Sequence, residues 1–469
     1  MSTRTRRIAV VMLVAVVVFA VILTATPSGI TVNAAPGPVL TVNNTGDTVT
    51  PGGCSTPSSQ CTIRDAFNIA GANPGSTVNI PPGDYSLDRS CSVCSSLVVG
   101  GNTIVNGTGA TIHGNGKTSV LSASGFAKLT GITFTGGEAD AVNEGGGIVI
   151  SYSNGGNVTL TNCVIAGNHS PYQGGGIGAN GNVTLVNTVV RDNTVTSTNG
   201  GGGGGIVLLG YTLTLLNSSV TGNTSGTDGG GIYAYPNSAI IMTNSTISGN
   251  RSGINGGGIF FDQSFQTLTG TNSTISGNSA TGYGGGIYSQ GSVLLTNATL
   301  AGNVSTNIVS ANGGTITLNN SLLSSTGASA NCFGTGIVSH DYNLSSDGTC
   351  AFLQLHDLVN TDPHLAPLAS NGGPTQTHAL LAGSPAIDKI PVTGAACPSM
   401  DQRGIRRPVG AGCDIGAYEF NTPAPLPAPR PSPPRTPGNP LPAPLPAQRP
   451  TGPPPGPGAP PPAPLPRPR

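Results

Sequence analysis

The chain has 469 residues, with 72 glycines and 40 prolines, and only 8% of its residues are charged. An average globular protein has about 25% charged residues, so this composition is typical of a repetitive β architecture with many turns. The formal net charge is zero, which argues against nucleic acid as the main partner, because phosphate binding requires a basic surface.

The N-terminus has the pattern of an export signal. Three arginines within the first seven residues precede an unbroken apolar run at residues 8–23, and small residues follow at 32–34. We predict a signal peptide at residues 1–34. An uncleaved membrane anchor is the alternative, because the apolar run of 16 residues is only slightly shorter than a membrane span. Both alternatives predict a secreted or cell-surface protein.

Nine cysteines fit an oxidising compartment. Eight of them form pairs that are close in sequence, and we predict four local disulfides: Cys54–Cys61, Cys91–Cys94, Cys332–Cys350 and Cys397–Cys413. The Cys91-x-x-Cys94 spacing also occurs in metal and redox sites, but no second CxxC or histidine pair is near it in the sequence. Cys163 remains unpaired.

Residues 35–75 are predicted to be an N-terminal cap that contains one amphipathic helix. Four apolar residues fall on one helical face: Ile63, Ala66, Phe67 and Ala70. Thr62 and Asp65 form a capping-box pattern at its start, and an Asn-Pro-Gly sequence at 73–75 ends it. This helix would cover the open end of the repeats that follow.

The central region is repetitive. The heptapeptide NSTISGN occurs at residues 244–250 and again at 272–278. It is one form of the pattern Asn-x-x-φ-x-x-Asn, with φ aliphatic, whose first asparagines are Asn162, Asn187, Asn217, Asn244, Asn272 and Asn297. Aliphatic residues two and four positions before most of these asparagines predict strands with one buried face. A glycine-rich turn ending in isoleucine follows most copies.

The repeat period of about 25 to 30 residues predicts a right-handed parallel β-helix of roughly ten coils at residues 76–330. A propeller blade needs about 40 residues and a leucine-rich repeat needs more leucine. The six first asparagines are predicted to form a structural ladder, because Asn tolerates left-handed turns and stacked amides exchange hydrogen bonds. Cys163 is predicted to fill a small-residue position beside this ladder.

The C-terminal third is predicted to contain two further regions. Residues 331–420 lose the repeat and should cap the other end of the coils. Residues 421–469 contain 23 prolines and five arginines but no acidic residue, so we expect a disordered, extended polyproline spacer. Contact of this basic tail with an anionic surface is the alternative.

Three stretches resemble known families. The sequence CTIRDAFNIAGANPGSTVNIPPGDY resembles the CSLREA segment of exported bacterial β-helix proteins, and the coils resemble the pectate-lyase-like superfamily. NGGPTQTHALLAGSPAIDKI and DQRGIRRPVGAGCDIGAYEF resemble the choice-of-anchor Q domain, which precedes surface-attachment signals. The resemblance implies an exported bacterial protein. No LPxTG-type signal accompanies these motifs, so the mode of attachment stays open.

The pectate-lyase-like superfamily contains polysaccharide lyases and hydrolases, which need a basic residue with an acidic calcium cluster, or paired carboxylates. Between residues 145 and 330 the charged side chains are only Arg191, Asp192, Asp228, Arg251 and Asp262, with no Asp-Asp pair in the sequence. We therefore assign no catalytic residue, metal ligand or cofactor to the coils.

Polar residues are concentrated later in the chain: His356, Asp357, Asp362, His364, His378, Asp388, Asp401, Arg403, Arg406, Arg407, Asp414 and Glu419. A catalytic or metal site is one interpretation. We favour a cap in which acids and arginines pair internally, because Asp401, Arg403 and Asp414 belong to the choice-of-anchor Q resemblance.

These observations predict a monomeric, non-enzymatic surface protein with an Asn/Ser/Thr-rich face for adhesion, glycan binding or envelope structure. The expected partner is a polysaccharide or cell-wall glycan, and membrane contact is expected only through an uncleaved signal segment. The alternative is a polysaccharide lyase or glycoside hydrolase. Carboxylates clustered on one side of the coils would favour the enzyme.

Overall fold

The computed structural model describes residues 36–56, 59–87, 96–114, 116–140, 145–151, 156–327, 329–392 and 397–421. The predicted signal peptide, the Cys91–Cys94 pair and the proline-rich residues after Asn421 lie outside these ranges. Within these ranges, no helix is both long and apolar enough to cross a membrane.

The described residues form one helix, α1 (Ile63–Ala72), and 36 strands. The strands before the regular repeats are β1 (Val39–Thr41), β2 (Thr77–Ile80), β3 (Gly83–Ser86), β4 (Leu97–Val99), β5 (Thr103–His113), β6 (Leu121–Ser124), β7 (Phe126–Thr135) and β8 (Ile148–Ser151).

The regular repeats contain β9 (Asn157–Thr161), β10 (Val164–Ala166), β11 (His169–Ser170), β12 (Ile177–Ala179), β13 (Asn182–Val186), β14 (Val189–Arg191), β15 (Thr194–Val195), β16 (Ile206–Leu208), β17 (Thr212–Leu216), β18 (Ser219–Thr221), β19 (Thr224–Ser225), β20 (Ile232–Ala234), β21 (Ala239–Thr243), β22 (Thr246–Ser248), β23 (Arg251–Ser252) and β24 (Ile259–Phe261).

The remaining strands are β25 (Thr267–Thr271), β26 (Thr274–Ser276), β27 (Ser279–Ala280), β28 (Ile287–Ser289), β29 (Ser292–Thr296), β30 (Thr299–Ala301), β31 (Thr306–Ser310), β32 (Thr315–Asn319), β33 (Leu322–Ser324), β34 (Ala330–Phe333), β35 (Ile337–Ser339) and β36 (Leu344–Ser345).

The strands stack into three parallel sheets of 21, ten and five strands. One coil, for example β12 to β15, passes once through the ten-stranded sheet, twice through the 21-stranded sheet and once through the five-stranded sheet. The ten-stranded sheet has one strand for each coil, from β4 to β34, which corresponds to about nine full turns. The predicted all-β parallel helix of roughly ten coils is confirmed.

The core of the helix consists of like residues stacked in register. Val158 lies opposite Val183, which lies opposite Leu213, and Leu160 heads a second column through Leu185. All of these side chains are buried. Burial of each such side chain contributes about 1.5–3 kcal/mol. The period-2 pattern of the sequence thus corresponds to the inward face of these strands.

The two asparagines of each repeat have different roles. The six predicted ladder residues, Asn162, Asn187, Asn217, Asn244, Asn272 and Asn297, all turn the chain with φ between 46° and 53°. Apart from glycine, Asn is among the residues that adopt this left-handed conformation most readily. These side chains lie at the outer corner, where Asn162 and Asn187 are exposed to solvent.

The hydrogen-bonded ladder predicted for the first asparagine is instead formed by the second. Its members are Asn168, Asn193, Asn223, Asn250, Asn278 and Asn303. Each Nδ2 donates to Oδ1 of the next member at 2.9–3.0 Å, and the backbone N–H donates to the same oxygen. Because these side-chain amides are buried, each would cost free energy if it had no hydrogen-bond partner. Their pairing along the axis of the coils supplies those partners.

The N-terminal end is closed by α1. Thr62 and Asp65 form the predicted capping box, and the apolar face of the helix belongs to the main core. Arg64 forms a buried ion pair with Asp47 at 2.8 Å, and the Cys54–Cys61 disulfide lies just before the helix. Strand β1 already pairs with β2, so the coils begin before residue 76.

The C-terminal end differs from the expectation. Strands β34 to β36 continue the coils beyond residue 330 as far as Ser345. The Cys332–Cys350 disulfide and Phe352 then complete the main core. Residues 363–392 and 397–420 of the predicted end cap, which we call the C-terminal segment, contact the side of the coils instead.

The C-terminal segment hydrogen-bonds to the outer side of β22, β26 and β30. Gln402 accepts from Oγ1 of Thr274 at 2.6 Å and donates to Oγ1 of Thr246 at 2.9 Å. The backbone N–H of Ala417 donates to Oγ1 of Thr299 at 2.9 Å. All three threonines are buried, although they point away from the core. The repeated TIS sequence of the two NSTISGN copies therefore also builds the surface on which this segment docks.

The amide ladder gives a direct test of the fold. We expect Asn223→Ala to lower the free energy of unfolding by about 3 kcal/mol. The reason is that Asn193 and the carbonyl of Val190 would lose buried hydrogen-bond partners. Urea unfolding followed by circular dichroism measures this change.

The matched control is Asn217→Gly at the outer corner of the same coil, where φ is 51°. Glycine adopts this conformation freely, so we expect a change within about 0.5 kcal/mol. Equal losses in the two variants would contradict the division of roles between the two asparagines.

Candidate functional site

An aromatic stripe runs along the outer side of the ten-stranded sheet. Its members, Tyr233, Phe260 and Tyr288, are the central residues of β20, β24 and β28 and lie opposite one another in register. The ring centroids of Tyr233 and Phe260 are 5.1 Å apart, as are those of Phe260 and Tyr288. Val207 of β16 continues the stripe as an aliphatic residue.

Glycine in the preceding turns allows the chain to pack against this stripe. Gly229 and Gly256 have φ values of 64° and 62°. A Cβ atom at Gly229 would lie 2.8 Å from Cβ of Tyr233, and one at Gly256 would lie 2.6 Å from Cβ of Phe260. The glycine turns of the sequence are therefore required by both the backbone conformation and the closeness of the aromatic residues.

A pocket of about 310 Å³ lies beside the stripe. Tyr172, Gln173 and Tyr235 line it, together with the turn at residues 197–201. The ring of Tyr235 is 4.7 Å from that of Tyr233, and its hydroxyl donates to Oε1 of Gln173 at 3.1 Å. The pocket is therefore contiguous with the stripe, in which Tyr233 and Phe260 are buried and Tyr288 is partly exposed.

Two carboxylates complete this surface. The hydroxyl of Tyr233 donates to Oδ2 of Asp262 at 3.3 Å, and the amide of Gln266 donates to Oδ1 at 2.6 Å. Oδ1 of Asp228 accepts the backbone N–H of Asn255 at 2.8 Å. We call Tyr172, Gln173, Asp228, Tyr233, Tyr235, Phe260, Asp262 and Tyr288 the aromatic site.

Burial and nearby negative charge raise the pKa values of Asp228, Tyr233 and Tyr235. Burial raises the pKa of Asp228, and the nearby carboxylate of Asp262 raises it further, against hydrogen bonds from Asn255. Burial followed by the same Asp262 charge raises the pKa of Tyr233 and of Tyr235. The two acids are therefore close enough to act on common neighbours.

The proximity of Asp228 and Asp262 is not evident from the sequence. The two residues are 34 positions apart and lie in different coils, so they do not form a local Asp-Asp pair. Their only sequence signal is the position relative to the glycine turn: Asp228 comes just before it in one coil, and Asp262 follows the strand of the next coil.

The arrangement is suited to binding a hydroxyl-rich molecule. Binding pockets typically combine aromatic walls with a few polar groups that fix orientation. Here the tyrosines supply the aromatic walls, and Gln173, Asp228 and Asp262 supply acceptors. Within the described ranges, no group of three or more histidine, cysteine or acidic residues is arranged to hold a metal ion.

A larger pocket of about 520 Å³ lies at the N-terminal end, between β1 and the Cys54–Cys61 disulfide. The residues that line it include no charged or aromatic side chain. It therefore offers fewer groups for specific recognition than the aromatic site.

Cys163 does not form a reactive site. Its side chain is buried, and burial raises the pKa of the thiol to about 11. The equivalent positions Thr188 and Ser218 in the next coils are also buried. A thiol in such surroundings stays protonated and unreactive at neutral pH.

The predicted cap residues form a buried ionic network in the C-terminal segment. Arg403 pairs with Asp401 at 2.7 Å and lies over the ring of Tyr418, while Arg407 pairs with Glu419 at 2.8 Å. Asp401 also accepts the backbone N–H groups of residues 403, 405 and 419. Both carboxylate oxygens of Asp401 thus bind groups of the protein.

Asp414 belongs to the same network. It accepts the backbone N–H groups of Asp388 and Phe420. Burial raises its pKa to about 6, against these hydrogen bonds. The Cys397–Cys413 disulfide joins two parts of the segment next to it.

The other polar residues of this region do not converge with the network. His356 pairs with Asp341 at 2.7 Å, and His378 contacts Oγ of Ser276 at 2.8 Å. Asp357 accepts hydrogen bonds from Ser339 and from the backbone of residue 343. Each of these side chains thus makes its own local structural contact, and together they do not form a common site.

Residues 95–300 match the family model described as the right handed beta helix region. The chain is a right-handed parallel β-helix. A solved structure, that of pectate lyase Pel9A, is similar to it with a TM-score of 0.55 and 16% sequence identity, covering 83% of this chain and 98% of that chain. At this identity the similarity supports the fold alone. No curated protein sequence matches the chain.

Within the described residues there are three disulfides, Cys54–Cys61, Cys332–Cys350 and Cys397–Cys413. Disulfides persist in oxidising environments outside the cytoplasm. They therefore indicate an extracellular protein.

The ionic network of the C-terminal segment gives a second prediction. We expect Arg403→Ala to lower the melting temperature strongly, at a cost of about 3–5 kcal/mol, because it leaves the carboxylate of Asp401 buried without its cation. Arg406→Ala is the control, since Arg406 is exposed, and its melting temperature should stay close to that of the wild type. An unchanged melting temperature for Arg403→Ala would refute the structural role.

Proposed function

We propose that this right-handed β-helix is a non-enzymatic, secreted or cell-surface protein that binds glycans through the aromatic site. The observation that carries the proposal is the pocket lined by Tyr172, Gln173 and Tyr235, which adjoins two carboxylates. Aromatic rings pack against the apolar C–H faces of sugars, while amides and carboxylates accept hydrogen bonds from sugar hydroxyls.

The repeat geometry suits an extended ligand. Neighbouring strands of a sheet lie about 4.8 Å apart, which is similar to the length of one sugar unit in a linear polymer. Tyr233, Phe260 and Tyr288 occupy the same position in three successive coils. Tyr233 and Phe260 are themselves buried, so the rings of this surface that a sugar can reach are the partly exposed Tyr235 and Tyr288, which lie two coils apart.

The 21-stranded sheet provides a second polar surface. Its outward positions include Thr159, Thr184 and Thr214, which lie in register on adjacent strands. We propose that this row of threonines belongs to the Asn/Ser/Thr-rich face that the sequence predicts for adhesion. It offers hydroxyls without aromatic walls, so we assign it a supporting role in contact with an extended polymer.

One feature favours binding over lyase chemistry. A lyase needs a basic residue to abstract a proton. The two arginines of the coils lie elsewhere: Arg191 pairs with Asp192 on β14, and Arg251 lies on β23 of the five-stranded sheet. The aromatic site thus has acceptors and aromatic rings, but no arginine or lysine of the coils belongs to it.

A glycoside hydrolase is the second candidate, and one observation favours it. Such enzymes use two carboxylates, one of which has a raised pKa. Asp228 has a raised pKa and lies in the field of Asp262. Against this role, Asp262 already accepts hydrogen bonds from Tyr233 and Gln266, which hold it in a structural contact.

The resemblances of the sequence support the proposed location. A CSLREA-like segment at the N-terminal cap and a choice-of-anchor Q-like C-terminal segment both occur in exported bacterial proteins. The predicted signal peptide is consistent with the disulfides. Attachment to the cell surface remains a proposal that rests on these resemblances.

Calorimetric titration of the purified full chain with neutral, acidic and amino-sugar oligosaccharides tests the proposal. We expect saturable binding of at least one of them, with no new reducing ends and no unsaturated uronides in the same solutions. Tyr235→Ala should weaken binding about tenfold, because it removes one wall of the pocket.

Phe126→Ala is the matched control, since Phe126 is an exposed aromatic residue of β7 outside the aromatic site. Its affinity should equal that of the wild type. Absence of binding to every glycan would refute the proposal, and release of reducing ends would favour the hydrolase.

A further inference from the structure

The charge of the aromatic site is negative. Its two ionisable acids are Asp228 and Asp262, and both act on Tyr233. Arg191 is engaged with Asp192 on another sheet, and Arg251 lies on the five-stranded sheet. The sequence places no other arginine or lysine between residues 145 and 330. A ligand in the site therefore meets carboxylates without a compensating cation from the coils.

The site also offers hydrogen-bond acceptors in particular. A carboxylate only accepts hydrogen bonds and has about four lone-pair positions. The Asp228 carboxylate accepts from the backbone N–H of Asn255 at Oδ1 and also from the Asn255 side chain, which occupies part of its acceptor capacity and leaves the rest. Oε1 of Gln173 faces the pocket and already binds the hydroxyl of Tyr235. The best complement is a ligand rich in donors.

The aromatic rings also favour a positively charged ligand. A cation near the face of a tyrosine is attracted by the negative face of the ring. Tyr172 and Tyr235 both line the pocket, and the pKa of Tyr235 is raised by burial and then by the carboxylate of Asp262. Partly buried charges are screened less by salt than exposed ones. A uronate would be repelled here, while an ammonium group would be attracted.

The geometry points to a specific ligand class: we propose that the aromatic site binds a cationic amino-sugar glycan, such as a glucosamine polymer with free amino groups, in preference to a polyuronate. This inference rests on the proposed glycan-binding function. An ammonium group supplies donors to the carboxylate of Asp228, and the negative charge of Asp262, whose oxygens already accept from Tyr233 and Gln266, attracts the same group, while the sugar rings pack on the partly exposed tyrosines.

Titration of the full chain with three hexasaccharides at pH 6 tests the inference: glucosamine, N-acetylglucosamine and galacturonate. At low salt we expect the glucosamine hexamer to bind at least tenfold more tightly than the other two. Raising the salt concentration should reduce this preference several-fold, because it screens the ion pairs. Equal or tighter binding of galacturonate would overturn the inference.

Asp228→Asn and Asp262→Asn test the residues. Each variant keeps its shape and one acceptor oxygen, so its fold should be preserved, which circular dichroism checks. We expect the glucosamine preference to fall about tenfold, while affinity for N-acetylglucosamine stays unchanged. Asp192→Asn is the matched control, because Asp192 is exposed and paired with Arg191 on β14, and it should retain the preference.

The outcomes separate the two proposals. If no hexamer binds, the proposed glycan-binding function itself fails. If N-acetylglucosamine and glucosamine bind equally, glycan binding is supported and the charge preference is overturned. If the preference persists in both aspartate variants, the assignment to Asp228 and Asp262 is overturned.

Discussion

The amide ladder is the constraint on which the rest of the molecule depends. Asn193, Asn223 and Asn250 are buried inside the coils, and each side chain is satisfied by the equivalent asparagines of the adjacent coils and by one backbone carbonyl. A coil that shifted in register would leave several buried amides without partners, at about 1–3 kcal/mol each. The ladder therefore fixes the register of every strand that precedes and follows it, including the strands that carry the aromatic site.

Fixed register explains how a chain with very few charges builds a localised site. Inward positions must repeat, because they form the core, whereas outward positions vary from coil to coil. On β20, β24 and β28 the outward position is aromatic, so the rings lie in one row. Asp228 and Asp262 enter the same surface from two different coils. On β22 and β26 the outward threonines instead hold the C-terminal segment.

Much of the fold could be predicted from the sequence, because its signals are local and repeated. The period, the inward aliphatics and the left-handed asparagine corners recur in most coils from Asn162 onward, and the capping box of α1 lies within four residues. The position of the C-terminal segment could not be predicted, since Thr274 and Gln402 are 128 residues apart and neither has a local signal for the contact. The sequence could not show which asparagine forms the hydrogen-bonded ladder, because both asparagines repeat equally and only the folded structure shows that the first turns the backbone while the second exchanges side-chain hydrogen bonds. The aromatic site could not be predicted either, because its residues come from different coils and share no sequence motif.

The central claim is that glycan binding occurs on the outer side of the ten-stranded sheet. Hydrogen exchange of the full chain, with and without the glucosamine hexamer, tests this claim most directly because it reports the location of the ligand. The account predicts slower exchange in the turns at residues 172–174, 197–203 and 255–257, next to the aromatic site, and unchanged exchange in the C-terminal segment. Slower exchange confined to the C-terminal segment or to the 21-stranded sheet would contradict it.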